Sequence, residues 1–141
     1  MKLSARSRYA ARLLLDLAMH EPNKPVRTAL LSKNTGITVQ FIEQIIRPLK
    51  KVDLIRSVRG AAGGHYLNKP PSEITLGEIV RATEGPISIT NCIDCEDKCE
   101  RSESCRTRSV WERASRAMEK ELDSITLAEL MNSADDCPNM E

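Results

Sequence analysis

The chain has 141 residues, 40% of them hydrophobic and 3% aromatic, a composition that suits one small, mostly helical domain or a small domain with an appendage. No apolar run approaches the roughly 20 residues that span a bilayer, and charged residues interrupt the N-terminal apolar stretch, so we expect no membrane contact and a cytoplasmic protein. The net charge of +1 hides an asymmetry, because residues 1–70 carry 13 Lys and Arg against 4 Asp and Glu, whereas residues 71–141 carry 8 against 16. Such a basic half is typical of a module that binds a polyanion.

The first predicted helix covers residues 4–20. Ser4 is its predicted N-cap, because a serine hydroxyl can accept a hydrogen bond from a free amide of the first turn. Apolar residues recur in it at spacings of three and four, which predicts one buried face. The residues of that face are Ala10, Leu13, Leu14, Leu17 and Ala18.

A short helix near 27–33, a turn at 34–36 and a third helix at 39–51 predict a helix-turn-helix. Gly36 allows the turn a positive φ, and Thr38 is the predicted N-cap of the third helix. The residues expected to be buried on the third helix are Val39, Ile42, Ile45, Ile46 and Leu49.

The opposite face of the third helix carries side chains that can read base edges in DNA. Gln40 and Gln44 suit adenine. Glu43 suits the cytosine amino group, and Arg47 suits guanine. The alternative is an ordinary polar surface on an amphipathic helix, which the basic surroundings disfavour. The predicted DNA contacts of the helix-turn-helix are Thr28, Thr38, Gln40, Phe41, Glu43, Gln44 and Arg47.

The segment LIRSVRGAAGGHYL at 54–67 predicts a β-hairpin wing directly after the helix-turn-helix, with a Gly-rich tip at 59–64. Arg59 and Gly60 are predicted DNA contacts. An arginine at such a tip can enter a minor groove, and a glycine lets the backbone approach a phosphate. A nucleotide-binding phosphate loop is excluded, because neither a helix start nor a Lys-Ser/Thr pair follows the glycines.

Four of the five cysteines lie in one short segment, CIDCEDKCERSESC, at 92–105. The segment has almost nothing apolar to bury, and thiolates that converge on a metal would supply another reason for it to be ordered. In a cytosolic chain, clustered cysteines are more often metal ligands than disulfides. The four cysteines are Cys92, Cys95, Cys99 and Cys105.

Residues 107–123 give the longest uninterrupted helical pattern. The apolar stripe along it consists of Trp111, Ala114, Met118 and Leu122. The stripe could face its own domain, but little of the chain remains to cover it, so we favour a dimer interface. A proline pair at 70–71 then separates a DNA-binding domain at 1–70 from a region at 71–141, which holds a sensor loop at 85–106 and the dimerisation helix.

Motifs along nearly the whole chain, about residues 1–131, resemble the Rrf2 family of bacterial winged-helix regulators, of the IscR and NsrR type. They are KLSARSRYAARLLLDLA at the N-terminus, the third helix TVQFIEQIIRPLKK, the wing SVRGAAGGHYL, the fourth helix ITLGEIV and a C-(x5)-C loop followed by VW. The resemblance implies a mostly α-helical winged helix-turn-helix with a small β-hairpin wing and a long C-terminal dimerisation helix. It also implies a homodimer and, as in the better-studied members, a 2Fe–2S or 4Fe–4S cluster on three cysteines of the loop.

The resemblance carries a ligand set over by position. Cys99 and Cys105 match the second and third cysteines of the family, and Cys92 matches the first with one extra residue of spacing. Arg108 stands where IscR-type proteins have a ligating histidine, and Arg8 stands where NsrR-type proteins have an acidic ligand. The predicted ligands are therefore Cys92, Cys99, Cys105 and, as the fourth or in place of Cys92, Cys95.

We therefore predict a homodimeric repressor that binds a palindromic DNA operator, holds an iron–sulfur cluster and senses redox state, oxygen, nitric oxide or iron–sulfur status. The alternative is a regulator of the same fold whose cysteines hold zinc or no metal, and which responds to a small molecule or a protein partner. Zinc is less favoured because only Cys92 and Cys95 form a close pair. An electron-transfer or thiol-redox enzyme is disfavoured, because the ferredoxin cysteine run and a nucleotide fingerprint are absent.

Overall fold

The computed structural model describes residues 2–94 and 99–133. Within them the chain is mostly helical, with one two-stranded antiparallel sheet and a 3₁₀ turn at Pro71–Glu73. The elements are α1 (Ala5–Ala18), α2 (Thr28–Thr35), α3 (Val39–Lys51), β1 (Ile55–Val58), β2 (Gly64–Leu67), α4 (Leu76–Glu84), α5 (Asn91–Asp94), α6 (Arg108–Ser124) and α7 (Leu127–Asn132). None of the helices in these two ranges is long and apolar enough to cross a membrane.

Helix α1 lies at the centre of the core. Ser4 caps it as predicted, since its hydroxyl accepts a hydrogen bond from the backbone N–H of Ser7 at 3.2 Å. Helices α2, α3, α4 and α7 all pack against α1. The predicted buried face is confirmed, with every member 7% exposed or less: Ala10, Leu13, Leu14, Leu17 and Ala18.

The predicted helix-turn-helix is confirmed in α2 and α3. Gly36 ends α2 with a φ of 71°, and its N–H donates to the carbonyl of Ser32 at 2.9 Å. Thr38 caps α3, because its hydroxyl accepts a hydrogen bond from the N–H of Phe41 at 3.3 Å. Local capping chemistry therefore sets where α2 ends and where α3 begins.

The prediction that Val39 is buried is wrong, because its side chain is 38% exposed. Val39 is the first residue of α3, and the residue one turn later on the same side is the exposed Glu43. Val39 therefore lies at the border between the buried and exposed faces. The other predicted residues are 4% exposed or less: Ile42, Ile45, Ile46 and Leu49.

The wing is an antiparallel hairpin of β1 and β2, in which Ile55 lies opposite Leu67 and Val58 lies opposite Gly64. An isolated bridge also pairs Val26, just before α2, with His65 of β2. The wing is thus joined to the helix-turn-helix twice: through the chain that follows α3, and through this bridge to the residue before α2.

The hydrophobic core continues past the proline pair at 70–71. Ile74, Ile79 and Leu127 are completely buried, and they belong to the same cluster as the buried residues of α1. The division into 1–70 and 71–141 therefore stays a prediction about function, while the packing joins both parts in one interior.

Helices α4 and α6 meet at a glycine. Arg81 of α4 donates hydrogen bonds to both carboxylate oxygens of Asp123, at 2.6 and 3.1 Å, and to Glu119 at 3.0 Å. A Cβ atom placed on Gly77 would overlap the Asp123 carboxylate. The missing side chain at Gly77 therefore makes room for the Asp123 carboxylate against the backbone of α4.

We expect Gly77→Ala to destabilise the protein, because the added methyl group pushes the Asp123 carboxylate off α4. Overpacking of this kind typically costs about 1–3 kcal/mol, and the better helix propensity of alanine offsets up to about 1 kcal/mol of that cost. The net loss should lower the midpoint of thermal unfolding by a few degrees. Circular dichroism melts at one protein concentration measure the shift. In an Asp123→Ala background the methyl group has room, so the same substitution should cost less there; equal losses in both backgrounds would contradict the overlap.

Candidate nucleic-acid interface and cysteine loop

The exposed face of α3 contains the side chains predicted to read bases. Gln40, Glu43, Gln44 and Arg47 are all exposed, and they lie on the side of the helix away from the core. Lys50 continues the same helix toward its C-terminal end and is also exposed. The face thus offers amide, carboxylate and cationic groups with which a helix in the major groove can form base contacts.

Phe41 has a structural role that the sequence did not predict. It is half-buried against the core, and its ring meets the ring of Tyr9 edge to face, with centroids 5.5 Å apart. The guanidinium of Arg12 lies 5.3 Å from the centroid of Tyr9, and its Nη1 donates to the carbonyl of Thr35 at 3.2 Å. The predicted contact of Phe41 with DNA stays a prediction.

The backbone at the tip of the wing takes conformations that need glycine. Arg59 and Gly60 are exposed, and Gly60 has a φ of 105°, a conformation that other residues rarely adopt. A Cβ on Gly63 would overlap the carbonyl oxygen of Val58. The tip therefore projects the Arg59 side chain from a tightly turned backbone.

His65 connects the wing to the start of α2. Its Nδ1 shares a hydrogen bond with the hydroxyl of Ser57 at 2.7 Å, and its Nε2 shares one with the hydroxyl of Thr28 at 3.1 Å. Burial of the imidazole, and then the positive charge of Lys50, lower the pKa of His65 below 6.5, while Glu43 acts in the opposite direction. Thr28, a predicted DNA contact, is thus also a partner of the wing.

Arg27 makes a further contact that was missed at the level of sequence. Its Nη2 donates to the carbonyl of Ala61 in the wing tip. The two residues lie 34 positions apart, so no local spacing signals the pair. A basic residue directly before a short helix, followed later by a Gly-rich hairpin, was the only indication in the sequence.

The described cysteines of the loop are free thiols: Cys92, Cys99 and Cys105. The Cys92 thiol lies on α5 and shares a hydrogen bond with the hydroxyl of Thr90 at 2.6 Å. A hydrogen bond with the Thr107 hydroxyl, followed by one from the backbone N–H of Arg108, lowers the pKa of the Cys105 thiol below its ordinary value. A lower pKa favours the thiolate, which is the form that binds metals.

The donor chemistry of the loop fits an iron–sulfur cluster, but its described geometry does not assemble one. Three thiols are the ligands that such clusters use. In residues 2–94 and 99–133, however, no three His, Cys, Asp or Glu side chains are close enough to hold a metal ion together. Cys95, the predicted fourth ligand, lies outside the described residues.

Arg108 occupies the first position of α6, three residues after Cys105. Its Nε donates to Glu112 at 3.0 Å, and its side chain is only 15% exposed. The guanidinium thus packs along its own helix, next to the end of the cysteine loop.

The predicted dimer stripe is largely uncovered. Trp111 and Met118 are 41% and 37% exposed, whereas Ala114 and Leu122 are half-buried. Ser115 is the one residue of α6 that is fully buried, and its hydroxyl accepts a hydrogen bond from the N–H of Ile89 at 3.0 Å. Helix α6 therefore rests on the segment before the cysteine loop with one face and leaves large apolar side chains exposed on another.

Comparison with known proteins places this architecture among transcription regulators. A protein-family model described as "Rrf2: Iron-dependent Transcriptional regulator" matches residues 3–133. Protein rrf2 of Nitratidesulfovibrio vulgaris Hildenborough is 40% identical over 138 residues, which cover 98% of this chain and 92% of that protein. The transcriptional regulator IscR of Serratia proteamaculans is 36% identical over 135 residues, which cover 96% of this chain and 82% of the relative.

Solved structures of similar proteins share the fold. CymR, the global cysteine regulator of B. subtilis, superposes with a TM-score of 0.77 at 31% identity, over 96% of this chain and 99% of its own. IscR of T. potens superposes with a TM-score of 0.74 at 34% identity, over 93% of this chain and 86% of its own.

We expect the free energy of unfolding to fall on acidification because of His65. Its pKa in the folded state is lowered from 6.5, so between 6.5 and that lower value the unfolded chain binds a proton that the folded chain does not. The contribution is fully present above 6.5 and is lost as the pH falls toward the folded pKa. Urea unfolding between pH 7.5 and 5 measures it.

The matched comparison for this pH effect is His65→Phe, which keeps an aromatic ring in place but has no proton to bind. The difference in free energy of unfolding between wild type and variant should shrink or reverse as the pH falls. A difference that stays constant over the range would contradict the lowered pKa.

Proposed function

Since this chain belongs to the Rrf2 family of transcriptional regulators and is not an enzyme, we propose that it is a homodimeric repressor whose cysteine loop holds an iron–sulfur cluster. The observation that carries the proposal is that the polar face of α3 and the wing tip are both exposed, in a chain whose cysteine loop leads directly into α6. The state of the cluster controls how the dimer binds its operator in the cytoplasm, in response to redox state, oxygen, nitric oxide or iron–sulfur status.

In this proposal α3 and the wing bind different grooves of the DNA. Gln40, Gln44 and Arg47 enter the major groove, where amide and guanidinium groups can form paired hydrogen bonds with adenine and guanine. Arg59 at the wing tip enters the neighbouring minor groove, whose negative potential attracts arginine where it is narrow. Sequence is therefore read mainly by α3, and the wing adds affinity and a preference for groove shape.

The exposed stripe on α6 supports a homodimer. Trp111 and Met118 are large apolar side chains on one face of a 17-residue helix that has only Ser115 fully buried. A second copy of the same face would remove them from water. Such a dimer presents two copies of α3 to DNA, and reading a palindrome requires them to lie about 34 Å apart.

The placement of the cysteines supports a sensing role. Cys92 lies on α5, and Cys105 lies three residues before the start of α6, so the loop connects the region of α4 with the proposed dimer helix. A bound 2Fe–2S or 4Fe–4S cluster supplies a centre that redox agents, oxygen or nitric oxide can alter. The chain contributes the thiols of Cys92, Cys99 and Cys105, and the proposed fourth ligand Cys95.

A regulator of the same fold without an iron–sulfur cluster is the second candidate, and one observation favours it. A cavity of about 570 Å³ opens between the end of α4 and α6, where a small polar molecule could bind. Charged side chains of both signs line it: Arg81, Asp94, Arg108, Glu112, Arg116 and Glu119.

We expect Arg59→Ala to weaken operator binding roughly 10- to 100-fold, or about 1.4–2.8 kcal/mol, because it removes an arginine from the groove. The negative slope of log affinity against log salt concentration should also decrease in magnitude by about one. Fluorescence anisotropy with a duplex selected in vitro by the wild-type protein measures both.

Arg113→Ala is the matched control for charge, because Arg113 is an exposed residue of α6 on the side opposite the apolar stripe. It removes one positive charge and should change affinity less than threefold. Equal effects of the two substitutions would show that net charge, and not the wing tip, decides the affinity.

Anaerobically purified protein is expected to be brown and to contain iron and acid-labile sulfide. Cys99→Ala and Cys105→Ala should each lose most of the iron, since each removes one thiolate ligand. They should also bind the operator about tenfold more weakly than the cluster-loaded wild type, a typical coupling between two sites. Cys137→Ala, which changes the cysteine outside the 92–105 segment, should keep the iron.

The same measurements separate the two candidate functions. Wild-type protein that contains zinc or no metal and still binds the operator would favour the second candidate. Iron-loaded wild type and iron-free cysteine variants that bind the operator equally well would show that the cluster does not control DNA binding.

A further inference from the structure

His65 lies where three segments of the chain meet. Its backbone N–H donates to the carbonyl of Val26 at 2.9 Å, and its carbonyl accepts from the N–H of Val26 at 2.8 Å. Its imidazole shares hydrogen bonds with Ser57 on β1 and with Thr28 at the start of α2. The residue is therefore bonded to both strands of the wing and to the helix-turn-helix at once.

Two further contacts tie the same surfaces together. Arg27 donates to the carbonyl of Ala61 near the wing tip. A Cβ atom on Gly64 would overlap the backbone of Val26, so the wing lies directly against the segment before α2. The wing thus packs against residues 26–28, and the His65 side chain lies at the centre of this contact.

The chemistry of a neutral imidazole suits this position. It has one donor and one acceptor nitrogen on opposite sides of the ring, and each hydroxyl that faces it can donate or accept. The ring is half-buried, and the charged groups that act on it are Lys50 and Glu43, both on α3. His65 therefore bridges Ser57 and Thr28 without adding a charge to the wing.

We propose that His65 is a positioning residue for DNA binding, which holds the wing tip with Arg59 at a fixed place relative to Thr28 and α2. This inference rests on the proposed contacts of Arg59 and Thr28 with DNA. A hairpin of two four-residue strands is marginally stable alone. Without the bridge, only the backbone bonds to Val26 and the contact of Arg27 with Ala61 would hold the wing on the helix-turn-helix, and more ordering of the tip would be needed when DNA binds. The free-energy cost of that ordering would lower the affinity for DNA.

The test is a double-mutant cycle in operator binding, with wild type, His65→Phe, Arg59→Ala and the double variant. Phenylalanine keeps a ring at the position and removes both polar atoms. We expect His65→Phe to weaken binding about five- to tenfold and Arg59→Ala roughly 10- to 100-fold. The double variant should bind like Arg59→Ala alone, because His65 acts through the placement of Arg59.

Two further variants separate positioning from a general loss of stability. Ser57→Ala removes the bridge partner on β1, a residue with no proposed DNA contact, so it should weaken binding in the wild-type background and add little to His65→Phe. His20→Gln changes the chain's other histidine, whose Nδ1 shares a hydrogen bond with the carbonyl of Asp16 at the end of α1. This variant should leave the affinity for DNA unchanged. All variants are measured at least 15 degrees below their unfolding midpoints.

The outcomes distinguish this inference from the proposed DNA contacts. Losses that add up in the double variant, or an unchanged affinity for His65→Phe beside a weakened Arg59→Ala, would overturn the positioning role alone. An unchanged affinity for Arg59→Ala would overturn the wing contact and, with it, the role of His65.

Discussion

The ion pairs of Arg81 with Asp123 and Glu119 join the core of the chain to α6. They lie on Gly77 of α4, where any larger side chain would displace the carboxylate. Backbone bonds reinforce the same junction, because the N–H of Leu76 donates to the carbonyl of Ile125 at 2.9 Å. Since α4 packs on α1 and α3, this junction fixes one end of α6 relative to α3, the helix that we propose reads DNA.

The opposite end of α6 has a different kind of support. It follows the cysteine loop, α5 packs against it, and the hydroxyl of Ser115 accepts a hydrogen bond from the backbone N–H of Ile89. A helix fixed at its C-terminal end can respond to a change in the loop only by moving its N-terminal end. In the proposed dimer that movement would alter the angle between the two copies, and so the spacing of the two α3 helices on DNA.

Local chemistry explains what could be predicted from the sequence. Ser4 and Thr38 cap their helices through bonds that span three residues, and the apolar periodicity of α1 identifies its buried face. Val39 was predicted to be buried but lies at the border between the buried and exposed faces of α3, next to the exposed Glu43. The bridge of His65 to Thr28 and the contact of Gly77 with Asp123 join residues 37 and 46 positions apart, which no local pattern encodes. The cysteine spacing likewise indicates donor chemistry but not whether the thiols converge.

The shared interior limits how such a regulator can acquire a new signal during evolution. Leu127 of α7 is completely buried, and its N–H donates to the carbonyl of Ile74 at 2.9 Å. Helix α7, the last helix of the described residues, also packs on α1, so it completes a core that the first helix begins. Exchanging the two halves between relatives would bring together side chains that were not selected to fit. In the proposed sensor, changes in the exposed residues around the cysteine loop avoid that penalty, so new specificities would be more readily reached by point substitution there than by recombination.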